Sequence, residues 1–380
     1  MKIVFIVLKG IPLGGGIETY SEEVGSRLAQ RGHDVIVYTM RHYGTTEGMF
    51  KGMEIKSIRT LKYRSFEKMI SSFLATLKHI GEDSDIIHYH AFGPAMFCFI
   101  PRVFGKKVIV RGCGIEWKRS RWNILGKIFL WLSEIPSVRF ANKVIVVSKV
   151  LQDYIKDKYN INSIHIPSGV NYPSIEEPDL IKKYGLKGND YILFAARLVQ
   201  EKGAHYLIKA YQQLNTKLKL VIAGDSHYEE PYKAELLRLK GYNENIIFTG
   251  FVTGKLLDEF FSNAYLFVLP SEIEGLSIAL RQAMSFGNCC LVSDIPENLE
   301  AINNHGFSFR KNDVNDLMIR LDELQNKPEL VNSVKKKAKE YVLSNYNWDT
   351  ITDQLEVLYE KTLVEKSFIT GLFPRLKRTS

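Results

Sequence analysis

Three charged residues in the second half of the chain stand where they could act together. Arg197 and Lys202, in RLVQEKG, fall at the end of an apolar strand pattern and at the start of the next helix. A guanidinium and an ammonium around one helix start suit the two sides of a diphosphate. Each charge-assisted contact contributes about 1.5–3 kcal/mol, and more as phosphate charge grows during bond cleavage. Glu274 opens EGLSIALRQAMSFG, at a strand-to-helix joint where backbone N–H groups favour an anion. Gln282 follows roughly two helical turns later. A salt-bridged surface pair and a helix cap are the bland alternatives for these groups.

The first half carries its own candidates. Gly14, Gly15 and Gly16 follow the first strand pattern and open a helix, a loop whose amides can approach a phosphate or a sugar. A dinucleotide fingerprint would need a third glycine where Thr19 stands, and an acid ending a second strand that instead ends YTM. No phosphate loop of the GKS/GKT type is present either, so a nicotinamide enzyme is disfavoured. His88 and His90 share one face of DIIHYH, but no third metal ligand is placed and H-E-x-x-H is absent. Asp83-Ser84-Asp85 precedes that strand and reads as a polar turn. In WKRSRWNILGKIFLWL, Trp122, Leu125, Phe129 and Leu132 keep helical spacing and are expected in the core. Lys118, Arg119, Arg121 and Lys127 are then left to meet lipid headgroups or water.

The elements that must position these residues are legible as alternating strand and helix patterns. KIVFIVL, DVIVYTM, DIIHYH, KVIVRG and KVIVVS are strands of a first parallel sheet, with a helix over residues 17–30 ended by Gly32. IPSGVNYPSIEEPD, residues 166–179, is a linker. YILFAAR, KLVIAGD, NIIFTGF, AYLFVLPS and NCCLVSD restart the pattern, and NWDTITDQLEVLYEKTL is one amphipathic helix before a basic tail. The fold class is α/β with two doubly wound domains, 1–168 and 169–345, and a terminal segment 346–380. In such sheets ligands sit beyond the carboxyl ends of the strands.

Bulk composition agrees. The 380 residues exceed what one core usually supports, and 45% hydrophobic with 24% charged residues is ordinary for a soluble protein. No apolar run is long enough to span a bilayer, and the short apolar N-terminus reads as a first strand, not a leader. Four cysteines without C-x-x-C spacing fit a reducing cytoplasm. Residues 1–170 hold 25 Lys and Arg against 14 Asp and Glu, a net +11, whereas the whole chain is +9. A basic first half suggests a membrane surface, a lipid-linked phosphate or a nucleic acid as partner, or only a solvated surface. No nucleic-acid recognition motif is present.

The ordered set GGGIE, HYH, RGCGIEW, RLVQEKG and EGLSIALRQAMSFG resembles the family-4 retaining glycosyltransferases, over nearly the whole chain. The resemblance implies a GT-B fold, two Rossmann-like domains facing across a cleft, with the last helix crossing back to brace the first. It implies that Arg197 and Lys202 bind a donor diphosphate and that Glu274 touches the sugar transferred. Gly275, Leu276 and Ser277 would hold sugar or phosphate, Val252 the nucleobase, and Gln282 the place of the glutamate that binds ribose hydroxyls. His90 would lie near the reacting carbon, and Gly14, Gly15 and Gly16 near the donor phosphates. Arg111 stands where His is usual and, with Glu116 of GIEWKRSRW, falls on the acceptor side. The implied reaction moves a sugar from a nucleoside-diphosphate-sugar to a hydroxyl of a glycan or lipid-linked acceptor, with no metal or cofactor. It places the protein in the cytoplasm, at the inner face of the plasma membrane if the acceptor is lipid-linked. A nucleotide-sugar epimerase and an impaired paralogue that binds another transferase are the rival expectations.

Overall fold

Strands buried on both faces read as continuous apolar runs, and that is how the chain builds its sheets. The structure, a computed structural model, describes residues 1–44, 47–60, 67–119, 122–226 and 230–365. Arg121 and the tail GLFPRLKRTS lie outside the described residues. The chain divides into two units: Met1–Ser168 together with the segment from Trp348, and Gly169–Asn347.

The first unit holds β1 (Lys2–Leu8), β2 (Asp34–Met40), β3 (Gly48–Phe50), β4 (Met53–Ile58), β5 (Ile86–His90), β6 (Lys107–Gly112), β7 (Lys143–Val146) and β8 (Ile164–His165). They form one sheet in the order β3-β4-β2-β1-β5-β6-β7-β8, parallel except where β3 pairs with β4. Its helices are α1 (Gly16–Gln30), α2 (Glu67–Ile80), α3 (Phe99–Val103), α4 (Ile124–Arg139) and α5 (Lys149–Tyr159). The order reverses at β1, which pairs with β2 on one side and β5 on the other. The loops after β1 and β5 therefore meet at a switch point.

The second unit has β9 (Tyr191–Ala195), β10 (Lys219–Ala223), β11 (Ile246–Gly250), β12 (Leu266–Leu269), β13 (Cys290–Ser293) and β14 (Phe307–Phe309), ordered β11-β10-β9-β12-β13-β14. Here the switch point lies between β9 and β12. Helices α6 (Ala204–Gln212), α7 (Glu230–Lys240), α8 (Gly254–Ser262), α9 (Ile278–Ser285), α10 (Pro296–Ile302), α11 (Val314–Asn326) and α12 (Pro328–Asn345) complete it. One core gathers Phe194, Leu207, Ile222, Val268, Leu291 and Leu317.

Helix α13 (Trp348–Val364) then joins the core of the first unit, where Trp348, Ile351, Leu355 and Tyr359 pack with Ile3, Val24 and Val37. Ion pairs fix it to α1: Arg27 with Asp349, and Arg31 with Asp353 and Glu356. The polar-turn expectation at Asp83–Asp85 agrees with the structure, where Asp85 accepts the Lys2 N–H at 2.7 Å. The four cysteines are free thiols.

One expectation fails. Leu125 and Leu132 are not core but exposed, and Trp122 and Phe129 are only half-buried. Helix α4 instead buries Leu130, Ser133, Glu134, Ser137 and Val138. Its inward polar groups are bonded to partners distant in sequence, such as Phe92 and Tyr159, which spacing along the helix alone does not reveal.

Candidate functional site

The second unit assembles its site at the switch point. After β9 the chain runs through Arg197 into a short 3₁₀ turn, Gln200–Lys202, before α6. Gly203 is left-handed at φ 70°, and a Cβ there would sit 2.0 Å from the Pro270 carbonyl oxygen. Only glycine lets the start of α6 approach the loop after β12 so closely. That approach is stitched by the Glu272 N–H donating to the Glu201 carbonyl at 2.9 Å. Lys202 is thereby delivered to Glu274: Nζ lies 2.5 Å from Oε1, with both side chains largely buried. The same carboxylate oxygen accepts from Ser271 Oγ at 2.7 Å. Arg197 is exposed and makes no ion pair among the described residues. Lys202 and Glu274 are thus brought together, and Arg197 is not joined to them.

Around Glu274 the backbone is held from below. Gly275, Leu276 and Ser277 are buried in the loop entering α9. Ser277 caps that helix by accepting the Leu280 N–H. Arg281, fully buried, donates from Nε to the Ser277 carbonyl and from a terminal nitrogen to that of Leu276, while its guanidinium lies 4.8 Å from the Tyr346 ring. Arg281 is a positioning residue that the sequence reading did not single out. Its signal was a charged residue at an inward helical position of α9. Gln282 is half-buried, with no side-chain hydrogen bond among the described residues. Val252 is half-buried just beyond β11.

In the first unit, Gly14 and Gly16 are exposed and Gly15 is half-buried at the start of α1. Gly15 has φ 156° and ψ 150°, and a Cβ there would meet Glu18 Oε2 at 2.4 Å. Glu18, a second residue not singled out from sequence, is buried in the first helical turn and accepts the Lys9 N–H at 3.3 Å. The helix N-terminus that favours anions already carries this carboxylate.

His90, last in β5, is wholly buried. Its ring stacks on His88 with centroids 4.6 Å apart, and its Nε2 lies 3.4 Å from Ser21 Oγ. His88 Nδ1 meets Tyr359 Oη at 2.5 Å. Burial holds His88 down at about 3, with the Arg111 charge adding to it. Burial holds His90 well below the usual imidazole range, reinforced by His88 and Arg111. Arg111, in β6, is 1% exposed. Its guanidinium lies 3.7 Å over the Tyr20 ring and donates to Ser168 Oγ at 2.9 Å and Cys113 Sγ at 3.1 Å. No carboxylate pairs with it among the described residues, and Nε has no hydrogen-bond partner there. Glu116 is half-buried and accepts the Gly93 N–H at 3.2 Å. No group of three His, Cys, Asp or Glu side chains suited to a metal occurs among the described residues.

Residues 14–172 match the profile of Glycosyltransferase Family 4, and residues 176–341 that of Glycosyl transferases group 1. The chain belongs to the family 4 and group 1 glycosyltransferases. An uncharacterized glycosyltransferase of Methanocaldococcus jannaschii is 24% identical over 95% of this chain and 98% of its own length. The Escherichia coli UDP-Gal:alpha-D-GlcNAc-diphosphoundecaprenol alpha-1,3-galactosyltransferase is 23% identical over 96% and 98%. Among solved structures, sucrose-phosphate synthase from Thermosynechococcus elongatus aligns with a TM-score of 0.83 at 20% identity, covering 95% of this chain and 98% of that one. Anabaena HepE, in complex with UDP and glucose, gives 0.80 at 17%, covering 95% and 100%. At these identities the structural likeness speaks for the fold, which is GT-B. In this glycosyltransferase no described helix is long and apolar enough to cross a membrane.

Proposed function

We propose that this glycosyltransferase moves a hexose from a nucleoside-diphosphate-sugar to a hydroxyl of a glycan or lipid-linked acceptor. The anomeric configuration is retained, no metal or other cofactor takes part, and the product serves a surface polysaccharide or glycoconjugate at the cytoplasmic face. The observation that carries the donor half is the meeting of Lys202 and Glu274 at the β9–β12 switch point, where open α/β sheets bind ligands. The E. coli relative's name gives a UDP-sugar donor and a diphosphoundecaprenol-linked acceptor, which supports both substrate classes here.

An ammonium has three N–H donors, so Lys202 can keep Glu274 and still meet a phosphate oxygen. Arg197, exposed and with no ion pair among the described residues, adds the second cation. As the bond between the anomeric carbon and the diphosphate oxygen breaks, negative charge gathers on the diphosphate, and fixed cations lower the barrier most at that moment. The acceptor oxygen bonds to the anomeric carbon on the face the diphosphate leaves, and its proton passes to a phosphate oxygen. No paired carboxylates of the glycosidase kind are needed. Glu274 accepts from sugar hydroxyls, amides of Gly275, Leu276 and Ser277 hold the sugar or phosphate, Val252 lies against the base, and Gln282 accepts from one ribose hydroxyl. Gly14, Gly15 and Gly16 offer amides to the diphosphate. His90 lies toward the reacting carbon, and Arg111 and Glu116 shape the acceptor side.

The test is nucleotide release from a panel of nucleotide-sugars with membrane extract as acceptor. Arg197→Ala should lower kcat/KM on the order of 10²–10³-fold while leaving the melting temperature unchanged, since Arg197 is exposed and has no ion pair among the described residues. Unchanged turnover in the variant rejects the assignment. Donor conversion that needs no acceptor indicates an epimerase, and loss of turnover on adding a chelator rejects the metal-free reaction.

A further inference from the structure

Helix α4 is built inside out. Its outward face is Ile124, Leu125, Ile128, Trp131, Leu132 and Ile135, each 40–72% exposed. Its inward face holds Ser133, Glu134 and Ser137, bonded through both serine hydroxyls and through one oxygen of the Glu134 carboxylate, Oε2, while Oε1 has no partner among the described residues. Ser133 Oγ donates to the Phe129 carbonyl and Ser137 Oγ to that of Phe92. Glu134 Oε2 accepts from Tyr154, Lys158 and Tyr159. These bonds hold the polar face inward, and among the described residues no apolar element covers the stripe, whose Trp131 ring meets only the Lys158 ammonium at 5.3 Å. The stripe continues onto α3, where Phe99 lies 6.0 Å from exposed Phe140 and Val103 and Phe104 are also exposed. Contiguous exposed apolar surface of this kind marks an interaction site.

Charge identifies the occupant. Residues 99–149 contain eleven Lys and Arg but only Glu116 and Glu134 as acids. Glu134 is buried, and Glu116 is engaged with the Gly93 amide. Lys127 and Arg139, on α4 itself, have no acidic partner among the described residues. A second copy of the chain would bring the same cations against each other across a two-fold interface. An anionic bilayer supplies the missing negative charge and the apolar layer together. At 16 residues, with one polar face built into the protein, α4 suits lying in the interface plane and is too short to span a bilayer.

We propose that the outward face of α4, continued by Phe99, Val103, Phe104 and Phe140, docks the first unit onto an anionic membrane surface. This is independent of the transfer reaction, because partition and turnover are measured separately.

The test is flotation of the full chain with vesicles of phosphatidylcholine alone or of equimolar phosphatidylcholine and phosphatidylglycerol. Wild type should bind the anionic vesicles about tenfold or more tightly than the neutral ones, and salt should weaken binding. Ile128→Glu with Leu132→Glu should abolish flotation without changing the melting temperature, because both side chains already face outward. Lys127→Glu with Arg139→Glu should remove the preference for phosphatidylglycerol. Ile319→Glu, at an exposed position of the second unit, should float as wild type. Failure of wild type to bind anionic vesicles at low salt overturns the proposal, as does undiminished flotation of the α4 variants. A dimer seen by light scattering that those variants split, without vesicle binding, also overturns it in favour of a second copy.

Discussion

The two units use cations in opposite ways near the carboxyl ends of their strands. Beyond β9 and β12, Lys202 rests on a carboxylate and Arg197 is open to solvent. Around β5 and β6, Arg111 is sealed beneath Tyr20, with a hydroxyl and a thiol as its partners. An accessible cation keeps its charge for a ligand that arrives and leaves. A sealed one acts on its neighbours at all times, here by adding to the burial that keeps two histidines neutral. Lys202 and Arg197 stand at the switch point of their sheet and Arg111 one strand beyond that of its own, and Arg197 differs from Arg111 in its access to solvent.

Substitutions can break this contrast. The largest combined effect on activity and stability is expected at Lys202. Lys202→Ala should lower kcat/KM on the order of 10²-fold and also destabilise by about 1–3 kcal/mol, because Glu274 is left buried and unpaired. Adding Glu274→Ala should restore part of the stability but none of the activity, a coupling that a double-mutant cycle in urea reads directly. Next is Arg111→Ala, which empties a fully buried site and should cost about 2–4 kcal/mol in urea unfolding. If it alters turnover without altering stability, the contrast between the two cations fails.

Acid should find the first unit weaker. His88 and His90 have folded pKa values below their unfolded value near 6.5, so the unfolded chain binds more protons in that window. The His88 contribution is whole above about pH 6.5 and is lost as pH falls toward about 3, and that of His90 is lost in the same direction. The melting temperature should therefore drop between about pH 7 and pH 5, and less so in His90→Gln. A flat profile contradicts the neutral pair. The smallest effect is expected at Gln282, half-buried and with no side-chain hydrogen bond among the described residues. Gln282→Glu should tighten donor binding about three- to tenfold by calorimetry, through a charged two-oxygen acceptor, with kcat little changed.

The principal strands and the terminal helix were legible because parallel strands and their covering helices are continuous or periodic in apolar residues. Short pieces such as β3 and β14 were not, since three residues carry no period. Arg197, Lys202 and Glu274 stood out in the sequence because strand ends are where such sheets present ligands, and the structure brings Lys202 to Glu274 but not Arg197. Glu18 and Arg281 were missed, as a first-turn acid or a helical arginine is ordinary until its buried partners are seen.

By itself, then, the sequence determined two doubly wound units and the acids, cations and glycines at their strand ends, because apolar periodicity and chain order are local properties. Tertiary structure alone decided which charges meet, which are sealed, and which face of α4 turns outward. Those outcomes depend on hydrogen-bond partners far away in the chain, such as Tyr159 for Glu134 and Ser168 for Arg111, and no local pattern encodes them.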